Sequence, residues 1–348
     1  MVARWYYNFL LPAGLLSGTI IGAGVFSLPY VFNRAGINPG FFYLFVLGLA
    51  MTVVHLLYAR LVLKTRGHHN FVGYARLYLG RWAVWPALAI GVLQGLINLV
   101  VYLVLSLSFS NLLFAGGDWL KIGVFWLLGS SAVFLNFKKE AITEFFITVG
   151  IALIIFLIFW QGVSGFSPSF LTSADFSWGN IFLPIGPIIY SLGGRPAVLE
   201  LVGYLKGRRQ SVWPNVERAV TVGTLFPVLL YGAFVIGILS LAPRVTPDAV
   251  SGLTGGVAGW FLGAVGLLGL LNILSSYIAI GFDISHILRV DLNISRPVGV
   301  LMVVFCPILL FLIGFNDFLQ LVSASGLIFG SLEIIFIIWM WRRLSTRS

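Results

Sequence analysis

The chain has 348 residues, of which 59% are hydrophobic and only 9% charged, with a mean hydropathy of +1.02. A soluble domain carries about 25% charged residues, so water is excluded as the solvent for most of this surface and lipid is indicated. The formal charge of +10 does not point to nucleic acid, because the basic residues sit in short clusters between apolar stretches, which is a topology signal.

Crossing a bilayer takes about 20 mostly apolar residues. The sequence predicts ten such spans, over roughly 9–32, 39–63, 84–114, 119–137, 141–163, 181–204, 219–242, 257–288, 297–315 and 318–341. The first is too long for the hydrophobic region of a cleaved signal peptide, about 7–15 residues, and reads as a retained helix. With the N-terminus placed in the cytoplasm, the inside segments hold Arg4; Lys64, Arg66, Arg76 and Arg81; Lys138 and Lys139; Lys206, Arg208, Arg209 and Arg218; Arg289 and Arg296; and Arg342, Arg343 and Arg347. The outside segments hold only Arg34, Lys121 and Arg244. This bias places both termini in the cytoplasm. Trp82, Trp85, Trp119, Trp160, Trp178, Trp213, Trp339 and Trp341 fall near span ends, as an aromatic belt requires. The polar stretches 64–82 and 205–218 read as cytoplasmic amphipathic connectors, and no soluble domain is visible. Residues 1–348 thus read as one transmembrane domain. The lone Cys306 can form no internal disulfide.

The ten spans divide into two sets of five, about 9–163 and 181–341, which would insert with opposite topology. The first span of each set is interrupted by glycine: Gly18-Thr19-Ile20-Ile21-Gly22-Ala23-Gly24-Val25-Phe26-Ser27-Leu28-Pro29, and Tyr190-Ser191-Leu192-Gly193-Gly194-Arg195-Pro196. Interrupted helices in corresponding positions of two halves are the best sequence pointer to a transporter site. Unwinding a helix deep in lipid frees amides and carbonyls that lipid cannot satisfy, while a solute and an ion can. Amides at a helix start suit a carboxylate, and freed carbonyls suit an ammonium group or Na⁺. The competing reading of the first span is packing, since Gly14, Gly18 and Gly22 form a small-residue ladder. In the sixth span, Pro196 after Gly193-Gly194 fits the first turn of a new helix.

At these residues the chain resembles the amino acid/auxin permease family, within the amino acid–polyamine–organocation superfamily. The resemblance rests on Gly22-Ala23-Gly24-Val25-Phe26-Ser27-Leu28-Pro29-Tyr30 with Ala35-Gly36, on the turn from Gly193 to Glu200, and on Ser275-Ser276-Tyr277 with Asp283 in the eighth span. It implies an all-α fold of LeuT type, with ten transmembrane helices in a 5+5 inverted repeat and discontinuous helices 1 and 6. It further implies secondary transport of amino acids by alternating access, coupled to H⁺ or Na⁺, in a prokaryotic cytoplasmic membrane. Carried over, Ile21, Gly22, Ala23 and Gly24 would hold the substrate carboxylate, the carbonyls near Tyr190, Ser191, Leu192 and Gly193 its amino group, and Tyr102 would face the site. Three features depart from the family pattern: ten helices where many members have eleven, Arg195 where some relatives have histidine, and Leu199 in place of a proline before Glu200.

Charge inside the membrane costs at least about 2.5–3.5 kcal/mol at a helix centre, so each buried ionisable residue is a functional candidate. Arg195 has two readings, a ligand for the substrate carboxylate or a cap for freed carbonyls. Glu200, five residues on, lies on a different helix face and reads as a gate or an anchor. Glu333, about 13 Å along its helix from Arg342, reads as a proton carrier or, preferably, as a paired acid joining two helices. His55 reads as a packing residue. Ser275 and Ser276 are a candidate Na⁺ site with the backbone near Ile20 and Ala23, although serines in membrane helices more often bond to their own backbone. Lys138 and Lys139 look too shallow to replace Na⁺.

Against an enzyme stand the absence of HExxH, of paired acids in a span and of a phosphate loop; His68-His69 reads as a solvated pair. A channel would need a polar row along one face, and Gln94, Asn98 and Tyr102 supply one stripe. A transporter-fold amino acid sensor would usually need a soluble signalling segment. The partners expected are an amino acid, H⁺ or Na⁺ and the lipid bilayer, with no nucleic acid and no cofactor beyond a coupling ion; oligomeric state is left open.

Overall fold

The computed structural model describes residues 5–67, 69–135, 141–164, 178–207 and 212–346, with the side chains of 141–148 and 212 excepted. His68, Lys138, Lys139, Arg4, Arg208, Arg209 and Arg347, used above for topology or chemistry, lie outside the described residues.

The described elements are helical in chain order: α1 (Leu11–Ile20), α2 (Leu28–Ala35), α3 (Ile37–Lys64), α4 (Phe71–Leu79), α5 (Val84–Leu88), α6 (Gln94–Leu113), α7 (Asp118–Phe134), α8 (Ala141–Val163), α9 (Ile185–Ser191), α10 (Arg195–Gly207), α11 (Val212–Leu241), α12 (Gly259–Asp291), α13 (Arg296–Leu312), α14 (Phe318–Ala324) and α15 (Ser331–Ser345). Among the described residues, six stretches are long and apolar enough to cross a membrane: Ile37–Lys64, Arg81–Leu113, Trp178–Gly207, Trp213–Leu241, Gly259–Asp291 and Phe318–Ser345. A bent pair, Tyr6–Ile20 with Ala23–Ala35, makes a seventh and turns by 48° at its break. Val149–Val163 and Arg296–Leu312 are apolar but shorter.

Side-chain patterning follows the lipid solvent. On α3, Phe42, Phe45, Val46, Leu49 and Val53 are exposed, and their three-to-four spacing is one helix face. The opposite face, with Leu44, Met51, His55 and Tyr58, is buried. Lipid is as apolar as leucine, so association of such helices rests on close packing and hydrogen bonds rather than on water exclusion. α12 runs along α6, and α11 packs on α8, α3 and α1.

The connector at 64–82 is not a surface element. α4 starts at an Asn70 cap, whose side chain accepts the Gly73 N–H at 2.7 Å. It then buries Phe71, Val72, Tyr74, Ala75 and Tyr78 against α15 and α5. Lys206, in the last turn of α10, donates to the carbonyls of Val62 at 3.4 Å and Thr65 at 3.3 Å. These are C-terminal groups of α3 that have no partner within that helix.

Besides a π-turn at Tyr6–Leu10 before α1, two π-turns among the described residues interrupt long helices, at Ala89–Leu93 before α6 and at Ser325–Gly330 before α15. Such bulges are frequent at functional sites, and both border the cavity described below. The second lies on α9 at backbone distance: a Cβ at Gly326 would come within 2.9 Å of the Tyr190 nitrogen.

Candidate functional site

Both expected breaks are present. α1 ends at Ile20; Ile21 has φ −72°, ψ 82° and Gly22 φ −127°, ψ −155°, and a 3₁₀ turn over Ala23–Ser27 leads into α2. α9 ends at Ser191, Leu192 turns the chain (φ −93°, ψ 4°), and Arg195 is the first residue of α10 rather than part of the break. Neither break needs a left-handed residue; glycine serves close approach instead. A Cβ at Gly24 would lie 2.7 Å from the Ser191 Cα and 2.8 Å from the Tyr190 ring. A Cβ at Gly194 would lie 2.8 Å from Ile20 Cγ1 and 3.0 Å from Leu16 Cδ1. Each break thus contributes the glycine that lets the other's helix end come close, so the two breaks touch.

A cavity of about 1150 Å³ opens from this junction. Gly22, Ala23, Gly24, Tyr102, Tyr190, Ser191, Gly193, Arg195, Glu200, Ser276 and Glu333 line it. Ile21, Leu192 and Ser275 do not; Ile21 and Leu192 are buried in packing. Gln94, Asn98 and Tyr102, the polar stripe of α6, form one wall, and Asp283 and His286 of α12 face the same space. The cavity lining extends to His69, Asn70, Lys206 and Asp291, where the Asn70 side-chain amide donates to the Asp291 carboxylate. Beyond the opposite end the interior is filled by Phe26, edge-on to Phe109 (centroids 5.1 Å apart) and to Phe234 (5.7 Å), all three buried.

The backbone groups freed at the breaks are partly claimed. At the start of the 3₁₀ turn the N–H groups have no acceptor within the helix; Gly22, Ala23 and Gly24 are at the cavity wall, and the Gly22 N–H faces the Tyr231 hydroxyl oxygen. The Gly24 carbonyl accepts from Ser27 Oγ at 2.7 Å, and the Tyr190 carbonyl from the Gly193 amide at 3.2 Å. The carbonyls of Ile20 and Ser191 both face one hydroxyl, that of Tyr231, at 2.6 and 2.9 Å. The Ser191 hydroxyl donates back to the Pro187 carbonyl at 2.6 Å and is not turned to the cavity chemistry.

Charge is paired across the cavity wall. Arg195 Nε donates to a Glu333 carboxylate oxygen at 2.9 Å, and its guanidinium lies 4.3 Å from the centroid of the Phe71 ring. Both ion-pair partners are buried, so the pair joins α10 to α15 where Coulomb attraction is little screened. Glu200 points elsewhere on α10, in line with its spacing from Arg195, and is exposed on the cavity wall. His55 is fully buried with Nδ1 3.0 Å from Thr224 Oγ1 on α11.

Of the oxygens expected at the Na⁺ site, two have a partner in the protein. The Ile20 carbonyl accepts from Tyr231, Ser275 lies away from the cavity, and Ser276 faces the Tyr102 hydroxyl. Among the described residues there is also no group of three His, Cys, Asp or Glu side chains placed to bind a metal.

The sequence reading missed Tyr231 altogether. Its only sequence signal is Pro227, one turn earlier. Proline lacks the N–H that would bond to the Gly223 carbonyl, and Ser17 Oγ of α1 takes that carbonyl at 3.1 Å. The reading also treated Arg195 and Glu333 separately, because 138 residues part them and no local pattern relates them.

The fold is shared with the crystal structure of MhsT in complex with L-phenylalanine, at a TM-score of 0.68 and 14% identity, over 94% of this chain and 87% of that one. No curated protein matches the chain significantly. Residues 7–344 match the tryptophan/tyrosine permease family, and since that is nearly the whole length, the chain belongs to the tryptophan/tyrosine permease family.

Proposed function

We propose that this permease is a secondary transporter that carries an aromatic amino acid, L-tryptophan or L-tyrosine, across a prokaryotic cytoplasmic membrane by alternating access. In this reading ten spans form two inverted sets of five, about 9–163 and 181–341, with both termini in the cytoplasm. The observation that carries it is the contact of two helix breaks at the closed end of a large cavity that reaches the surface at its other end. The resemblance of Gly22–Tyr30 to the amino acid/auxin permeases supports the same mechanism, and the L-phenylalanine in the MhsT structure supports an aromatic solute.

The seat follows from the chemistry of the wall. The first-turn amides of Gly22, Ala23 and Gly24 take the carboxylate. Carbonyl oxygens have two lone pairs, so those near Tyr190 and Ser191 still have capacity for the ammonium group. Tyr102 and Tyr190 give the side chain an aromatic surface, against which ring pairs contribute about 0.5–1.5 kcal/mol beyond burial. The bias of the basic clusters supports a cavity mouth on the cytoplasmic side; in this reading the conformation faces inward and the Phe26–Phe109–Phe234 cluster is the outer closure. A channel would need that closure absent.

Transport is driven by a gradient of H⁺ or Na⁺. H⁺ is the favoured ion in this reading: the wall carries Glu333, Glu200 and Asp283, and the Ile20 carbonyl expected at the Na⁺ site accepts from Tyr231. The test is uptake of labelled L-tryptophan and L-tyrosine into proteoliposomes under an imposed pH gradient or an imposed Na⁺ gradient. Saturable accumulation that follows the pH gradient is expected. Accumulation indifferent to both gradients overturns the coupling, and binding without accumulation overturns transport.

A further inference from the structure

Two carbonyl oxygens from separate breaks, Ile20 and Ser191, converge on one point deep in the protein, 2.6 and 2.9 Å from the Tyr231 oxygen. Two converging carbonyls are the arrangement that coordinates a monovalent cation when helices unwind in a membrane. Here the point is occupied by a side chain of the protein itself. Tyr231 is fully buried. It is presented by a helix whose Pro227 leaves the Gly223 carbonyl to Ser17, so α11 is tied to α1 about two turns before the hydroxyl arrives. Nor is there slack at the junction, because the Gly24 and Gly194 contacts bring the two breaks to van der Waals distance. The hydroxyl carries one proton for two acceptors. It can serve them as a shared bond or in alternation, whereas a buried carbonyl with no donor is left unsatisfied.

We propose that the Tyr231 hydroxyl does at the junction of the two breaks what a bound cation would otherwise do: it holds the carbonyl ends of α1 and α9 together and so positions the half-helices that flank the solute seat. Tyr231 is a positioning residue. It does not line the cavity, and it acts on the solute through the backbone it fastens. The native protein therefore needs no monovalent cation at this point. The claim about the solute seat rests on the transport reading above; the claim about the junction does not.

The experiment uses the full chain in proteoliposomes and in detergent, with N-methylglucamine chloride as the cation-free salt. Tyr231→Phe keeps the ring and removes both bonds; its KM for L-tryptophan is expected to rise at least about tenfold, the size of one lost buried partner. 4-Aminophenylalanine at position 231 keeps N–H donors in place and is expected to restore KM to near the wild-type value. Tyr231→Ala bares the two carbonyls and leaves room beside them, so Na⁺, K⁺ or Li⁺ is expected to raise its melting temperature relative to N-methylglucamine at equal ionic strength, with no such rise in the wild type. Wild-type KM in Tyr231→Phe overturns the proposal, as does a 4-aminophenylalanine protein no better than Tyr231→Phe. Equal cation responses of wild type and Tyr231→Ala, or none in either, also overturn it. If the alanine variant does not fold, the 4-aminophenylalanine comparison decides. If the wild type carries no amino acid, the transport reading fails while the melting comparison still decides the junction.

Discussion

Removing one member of the Arg195–Glu333 pair leaves the other charged and buried, which costs about 3–5 kcal/mol, whereas replacing both by apolar side chains of similar size is often neutral. Arg195→Gln is therefore expected to lower the melting temperature sharply, and Arg195→Met with Glu333→Leu to recover most of it. Uptake is expected to stay abolished in both, because the pair sits on the cavity wall beside the seat. Melting curves and uptake on the same preparations check this; a double variant as unstable as the single one would remove the ion-pair account. Two glycines of the first break separate packing from binding. Nothing but the Ile20 carbonyl, at 3.9 Å, lies near a Cβ at Gly22. Gly22→Ala should fold with little loss yet raise KM, since its methyl occupies the seat of the carboxylate. Gly24→Leu meets the backbone of Ser191 at once, and is expected to insert in the membrane and carry nothing. Uptake by Gly24→Leu at the wild-type rate would sink the placement of the breaks.

At the scale of the element, a broken span is stable only if its freed groups find partners. α11 serves two of them through one side chain and has a freed carbonyl of its own served by α1. Pro227 exposes the Gly223 carbonyl to Ser17, and Tyr231 covers Ile20 and Ser191. Ser17→Ala is expected to cost about 1 kcal/mol in the native background. It should cost much less beside Pro227→Ala, where a new backbone N–H competes for Gly223. A double-mutant cycle on melting free energies measures the difference, and additivity within error would show that the two residues are independent. The π-turn Ser325–Gly330 plays a related part. Its extra residue per turn shifts the phase of the helix before α15, on which Glu333 meets Arg195 across 138 positions of sequence.

At the scale of the whole molecule, the chain is an integral membrane permease and not an enzyme, and its cavity reaches the surface at one end. With Cys306 replaced by serine, a cysteine at Ser276 should react with a membrane-impermeant thiol reagent added from the side of the C-terminal tail. A cysteine at Phe109, within the aromatic closure, should not react from the opposite side. Labelling of both positions from both sides would mean that the closure does not seal. L-Tryptophan is expected to slow labelling at position 276 by shielding the wall.

The pattern of apolar stretches and basic loops made the membrane, the helices and their order readable, because lipid imposes the same requirement on every residue of a crossing segment and composition alone reports it. Gly22, Gly24, Gly193, Gly194 and Pro196 marked the two breaks, since backbone that cannot stay helical announces itself locally. What lay against those breaks was not readable. That Arg195 would find Glu333, that Tyr231 would reach the carbonyls of Ile20 and Ser191, and that Ser275 would turn away while Ser276 faced the cavity all depend on how distant helices cross. Such contacts are set by interlocking shapes of residues 40 to 211 positions apart, for which no spacing along one helix carries information. Tertiary structure alone decided them, because in a lipid solvent each freed polar group must be satisfied by whichever element the packing brings within bonding distance.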